Sequence, residues 1–83
     1  MAATTVLVVE DDPTILQLLE VNFEMEGFTV VAAVDGADGL RKATEAPPDI
    51  IVSDVMMPNM SGIEMVEALK AQPETKGIPI ILL

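Results

Sequence analysis

Ile50-Ile51-Val52-Ser53-Asp54-Val55-Met56-Met57-Pro58-Asn59-Met60-Ser61-Gly62 is the stretch that decides how this chain folds. An apolar run leads to a single carboxylate, Asp54, and Pro58 and Gly62 then punctuate a loop. A buried strand that ends on an acid and opens into a loop delivers a side chain to the rim of a sheet. In open α/β sheets ligands bind at that carboxyl-end rim. Asp54 is therefore the first candidate for chemistry.

Upstream, Val6-Leu7-Val8-Val9 is apolar at every position, as suits a central parallel strand covered on both faces. It stops at Glu10-Asp11-Asp12, and Pro13 follows, with Asp12 placed as the N-cap of a helix from about Pro13 to Glu26. Spacing divides the apolar residues of that helix into two stripes, Ile15, Leu16, Leu19 and Phe23 against Leu18, Val21 and Met25. Gly27 is the expected stop. Thr29 to Ala33 reads as a second strand, Asp35-Gly36 as a turn, and Ala37 to Ala46 as a second helix with Leu40 and Ala43 inward. Pro47-Pro48 ends it and leads to a strand from about Asp49 to Ser53. Downstream, Ile63, Val66 and Leu69 predict the inner face of a third helix, with Glu64, Glu67 and Lys70 outside. Gln72 to Gly77 is a polar connection, and a last strand is expected over Ile78 to Leu83, with Pro79 near its start.

Strands alternating with helices imply a parallel sheet with right-handed crossovers, and hence one edge shared by all the strand ends. If the first and third strands are neighbours, Glu10, Asp11 and Asp54 converge there. Three carboxylates in contact repel by about a few kcal/mol even at moderate effective dielectric, and a hard cation removes that penalty. Mg2+ takes carboxylates, a carbonyl and waters, and commonly shares its shell with phosphate. The competing structural reading makes Asp11 and Asp12 helix caps and Asp54 a loop cap. It is preferred for Asp12 alone.

Composition narrows the chemistry further. The 83 residues are 51% hydrophobic and include no Cys, His, Trp or Tyr, which is one small domain. Without Cys or His there is no disulfide, thiolate or imidazole chemistry, and zinc or copper is poorly served. Acids outnumber bases 14 to 4, for a formal charge of −10, which disfavours nucleic-acid backbones and anionic membranes and favours divalent cations or basic partners. No apolar run approaches the length of a membrane span, and the amino terminus has no basic leader. A cytoplasmic location is expected.

Over its whole length the chain resembles the receiver domain of bacterial two-component response regulators. The resemblance lies in Glu10-Asp11 after the first strand, in D-x-x-M-P-x-x-x-G at Asp54, Met57, Pro58 and Gly62, in Asp35-Gly36, and in Ile78-Pro79. It implies a flavodoxin-like open parallel sheet of strand order 2-1-3-4, with residues 1–83 as the N-terminal part of the domain. It also implies that Asp54 is the phosphoacceptor, attacking a phosphohistidine on a sensor histidine kinase or phosphotransfer protein. The metal, Mg2+ with Mn2+ as a substitute, would be held by the side chains of Asp11 and Asp54 and the backbone carbonyl of Met56, with Glu10 acting through a water. Such a protein is a phosphoacceptor rather than an enzyme.

The family pattern continues with a Thr or Ser after strand four, a Lys after strand five, and two more helices, whereas the chain ends at Leu83. Lys70 and Lys76 lie in the wrong elements to substitute. The expectations are a fragment or part of a longer protein, and a homodimer formed through the exposed edge of the last strand. A flavin-binding flavodoxin is disfavoured because Glu10-Asp11-Asp12 would repel its phosphate. A haloacid-dehalogenase-type phosphatase carries a second Asp where this chain has Met56. The main alternative is a receiver-like interaction module that takes no phosphate.

Overall fold

The computed structural model describes residues 3–83. The elements run β1 (Thr5–Val9), α1 (Pro13–Met25), β2 (Thr29–Ala33), α2 (Gly36–Glu45), β3 (Ile50–Ser53), α3 (Gly62–Lys70) and β4 (Ile80–Leu82). The four strands pair in parallel in the order β2-β1-β3-β4, as expected from the sequence. Register sets Leu7 beside Val31 and Ile51, and Ile51 beside Ile80, so alternate residues along each strand serve opposite faces.

Both faces of the sheet are covered, which is why β1 is apolar throughout. Val6, Val8 and Val52 pack with Leu16 of α1, flanked by Leu19 and Phe23. Leu7, Val9 and Ile51 pack on the other side with Ala43 of α2 and Met65 and Leu69 of α3. Phe23 and Phe28 meet edge to face at 5.7 Å where α1 returns to β2. Gly27, at φ +92°, makes the left-handed turn that ends α1.

Three expectations are corrected. Ile15 does not join the inner stripe of α1 but lies with Leu18, Val21 and Met25 on an exposed apolar face. One residue turns a helix by about 100°, so a stripe centred on Leu16, Leu19 and Phe23 carries Ile15 out of the core. In α3 the inward residues are Met65 and Leu69, while Ile63 is 53% exposed. The cause is Gly62, whose missing Cβ would lie 2.3 Å from the Asp54 carbonyl oxygen; that close approach fixes the rotation of the helix and turns Ile63 away. Finally, β4 is shorter than Ile78–Leu83. The Ile78 amide donates to the Thr75 carbonyl instead of the ladder, and Pro79 offers only its carbonyl, which accepts from the Ile51 amide. Thr75 itself is buried and donates its hydroxyl to the Leu69 carbonyl at 2.6 Å, closing the end of α3.

The outer edge of β2 is occupied by side chains. The Ala33 carbonyl accepts from Glu10 on the β1 side, so the Ala32 carbonyl points the other way, where the Lys42 ammonium donates to it. The Val34 amide donates to Asp38 Oδ2 at 3.1 Å on the same side.

The rotation of α3 has a measurable consequence. Met65→Ala, which empties a fully buried site, should cost about 2–5 kcal/mol. Ile63→Ala should cost under about 1 kcal/mol, as an exposed truncation does. Thermal unfolding by circular dichroism separates them, and equal losses would refute this assignment of faces.

Candidate functional site

The two strands that carry the acids are hydrogen-bonded past their own ends. The Asp54 amide donates to the Val9 carbonyl at 3.0 Å, and the Glu10 amide donates to the Ala33 carbonyl at 3.0 Å. The first bond holds the ends of β1 and β3 side by side, and the second carries the pairing of β1 with β2 past Val9. Carboxylate oxygens of Glu10, Asp11 and Asp54 accordingly lie within 4.8 Å of one another, with Glu10 buried, Asp54 half-buried and Asp11 exposed.

Asp12 stands apart from this group. Its Oδ1 accepts from the amides of Thr14 at 2.9 Å and Ile15 at 3.2 Å, capping α1. Its own amide donates to Glu10 Oε2 at 2.9 Å, so the helix start also holds the Glu10 carboxylate. Asp54 Oδ1 accepts from the Val55 amide at 2.8 Å, which fixes the carboxylate plane and leaves Oδ2 as the oxygen without that partner. Two features around Asp54 were not read from the sequence. The buried Ser53 hydroxyl donates to the Asp54 carbonyl at 2.8 Å, and Gly62 lies flush against that same carbonyl. A serine within an otherwise apolar strand was the available signal for the first, and a glycine at the start of a helix for the second. Met56 lies two residues beyond Asp54 in the β3–α3 loop with its side chain 80% exposed. Among the described residues no hydrogen-bond donor reaches its carbonyl.

Among the described residues no base pairs with the three acids. Among the described residues, the ion pairs all lie on α2, where Arg41 and Lys42 engage Asp38 and Arg41 also reaches Glu45. Burial pushes the Glu10 carboxyl above the ordinary glutamate range, and the hydrogen bond to Asp11 and the charges of Asp54 and Asp11 add to this, against the Asp12 amide. A set of oxygen donors with unneutralised charge and no sulfur or nitrogen fits a hard divalent cation.

The sign of the pH dependence follows. The folded state holds the Glu10 proton more tightly than the unfolded chain does, so the Glu10 contribution to metal-free stability falls as pH rises from the ordinary glutamate range through the raised value. Glu10→Gln removes one charge and keeps an acceptor for the Asp12 amide. It should raise the metal-free melting temperature at neutral pH by several degrees, about 1 kcal/mol, and flatten this pH dependence. Melting curves across the acidic range test this, and an unchanged profile would refute the repulsion.

Comparison with known proteins agrees with this geometry. Residues 6–83 match the response regulator receiver domain family. Over 78 residues, 94% of this chain, the sequence is 46% identical to the transcriptional regulatory protein PrrA of Mycobacterium tuberculosis and 37% identical to the DNA-binding dual master transcriptional regulator RpaA of Synechocystis. The match covers 33% of PrrA and 32% of RpaA, so the chain spans about a third of the length of these curated relatives. Among solved structures, the chemotaxis protein CheY4 of Vibrio cholerae superposes with a TM-score of 0.92 at 40% identity, over 98% of this chain and 68% of that one. The receiver domain of the sensor histidine kinase PA1611 of Pseudomonas aeruginosa, solved with a magnesium ion coordinated in its active site cleft, gives 0.93 at 28% identity, over 98% of this chain and 66% of that one. With its sheet order, its acidic strand-end site and a family match from Val6 to Leu83, the chain belongs to the response regulator receiver domain family.

Proposed function

We propose that Asp54 accepts a phosphoryl group from a phosphohistidine of a sensor histidine kinase or phosphotransfer protein, with Mg2+ held by Glu10, Asp11, Asp54 and the Met56 backbone carbonyl. Receiver domains of response regulators serve phosphorelay signalling and are generally not enzymes in their own right. The observation that carries the finer reading is the convergence of three unneutralised carboxylates within 4.8 Å, one of them on the loop side of a strand end. The magnesium in the PA1611 receiver domain supports the choice of ion.

The chain's own groups have distinct tasks in this reaction. The Val55 amide holds Asp54 Oδ1, so Oδ2 is the oxygen free to attack phosphorus. A new O–P bond forms as the N–P bond of the donor breaks, and the electron pair of that bond leaves on the imidazole nitrogen, which takes up a proton. Asp11 and Glu10 hold the site's charge so that a cation is required before an anionic phosphoryl group can approach. When bound, Mg2+ supplies neutralisation of the phosphoryl oxygens and in-line positioning. The phosphohistidine comes with the partner, so the absence of His here is consistent with the acceptor's role.

The regulatory output of the longer relatives enters only as part of this proposal. A sensor kinase upstream and an effector downstream, in the cytoplasm, are the partners it implies. Self-association through β4 belongs to the same reading, since Ile81 and Leu82 are exposed on that edge. No helix among the described residues is long and apolar enough to cross a membrane.

Acetyl phosphate with Mg2+ should produce an acid-stable, base-labile phosphoryl adduct on the wild-type chain, read by intact mass, and none on Asp54→Asn. Mg2+ should also raise the melting temperature of the wild type, and Asp11→Ala should abolish that rise. Absence of the adduct from the wild type, or its survival in Asp54→Asn, would overturn the phosphoacceptor reading and favour an interaction module that takes no phosphate.

A further inference from the structure

We propose that Asp35 and Asn59 are positioning residues, a clamp that hangs the β3–α3 loop from the start of α2 so that the Met56 carbonyl is presented to the ion held by the acids. The inference rests on the metal-dependent reading above, and neither residue belongs to the acidic group itself.

The loop is fastened on both sides of Met56. Before it, the Val55 amide donates to Asp54 Oδ1, and the Val55 carbonyl accepts from the Gly62 amide at 2.9 Å. After it, Asn59 Nδ2 donates to Asp35 Oδ2 at 2.9 Å, and the Gly36 amide donates to the Met60 carbonyl at 3.1 Å. A Cβ at Gly36 would lie 2.3 Å from that Met60 oxygen, so the loop rests directly on the first turn of α2. Met57 and Met60 are packed against the core, whereas the Met56 side chain is in solvent. Side-chain packing therefore does nothing to place the Met56 backbone, and the fastenings on either side of it must.

Asp35 is built for this task. Its Oδ1 accepts from the Asp38 amide at 2.8 Å and caps α2, leaving Oδ2 for Asn59, so one carboxylate ties helix and loop together. The Asp38 amide first, and the Asn59 amide second, hold its carboxyl below the ordinary aspartate range, as befits bonds made by the ionised form. Asn59 sits at φ 68°, a left-handed conformation that Asn tolerates better than most side chains. A neutral carbonyl ligand has no net charge with which to draw the ion from a distance. Mg2+ demands near-ideal octahedral geometry, so the carbonyl's contribution depends on being held in place beforehand.

Three variants separate positioning from simple stability. Asp35→Ser keeps the helix cap but is too short for Asn59, and Asn59→Gly keeps the positive φ but removes the amide. The double variant Asp35→Asn with Asn59→Asp reverses donor and acceptor at unchanged net charge. The Kd for Mg2+ is read by calorimetry, alongside metal-free melting and hydrogen exchange of the Gly36 amide, which donates to the Met60 carbonyl. Each single variant should weaken Mg2+ binding by about tenfold, as loss of a partner that orients a ligand does, and should speed Gly36 exchange. The double variant should return Kd to within about twofold of wild type. Wild-type affinity in both single variants, or losses that the double variant does not recover, would overturn the clamp alone. A wild type that binds no Mg2+ would overturn the metal-dependent reading and the clamp with it.

Discussion

The hydrogen bond from the Asp54 amide to the Val9 carbonyl is the contact on which the site depends. It continues the pairing of β1 with β3 one residue beyond the ladder, and so determines that the residue after each strand emerges at the same place. A slip of one residue would send Asp54 to the other face of the sheet and replace a buried residue with a charge. The apolar runs on either side make that slip prohibitive, because Val8 and Val52 face α1 while Val9 and Ser53 face α2 and α3. Packing far from the chemistry thus enforces a geometry that the acids themselves resist.

That opposition gives the site its character. Glu10 is buried next to two other acids and pairs with no base among the described residues, while its carboxylate holds the Asp12 amide. Ionisation of all three acids sets like charges against one another, and positive charge from outside would relieve that repulsion. Local instability of this kind is common where binding rather than folding is the task. Elsewhere the structure is conventional. Asp12, Asp35 and Ser61 each cap a helix, with Glu64 returning the bond to the Ser61 amide, so that all three helices begin on a defined residue.

Much of this was legible in the sequence because the signals were redundant. Asp12-Pro13 and Gly27 bracket α1 by capping chemistry as well as by periodicity, and Thr29–Ala33 is found at its expected limits. The acidic trio was legible because each member adjoins an apolar strand, so topology alone brought them together. What failed was side-chain direction. Ile63 and Met65 are both apolar and fit a helical stripe equally well; the choice between them is made by the backbone contact of Gly62 with Asp54, a non-local event that periodicity does not encode. The link between Asp35 and Asn59 was hidden for the same reason, since the residues are 24 positions apart and each has an ordinary turn role.

The two edges of the sheet are not equivalent, and the difference gives the molecule a direction of growth. On β2 the outward carbonyl of Ala32 and the amide of Val34 are already engaged by Lys42 and Asp38. An incoming strand would have to evict a charged pair to bond there. On β4, a short strand in which Ile81 and Leu82 are exposed, no such side chains intervene among the described residues. An added strand would therefore meet a charged pair at the carboxyl end of β2, and none at β4 among the described residues. The helix that reaches the edge of β2 is the same α2 whose first turn carries the loop beside the acids, so one element is bonded both to the sheet edge and to the β3–α3 loop.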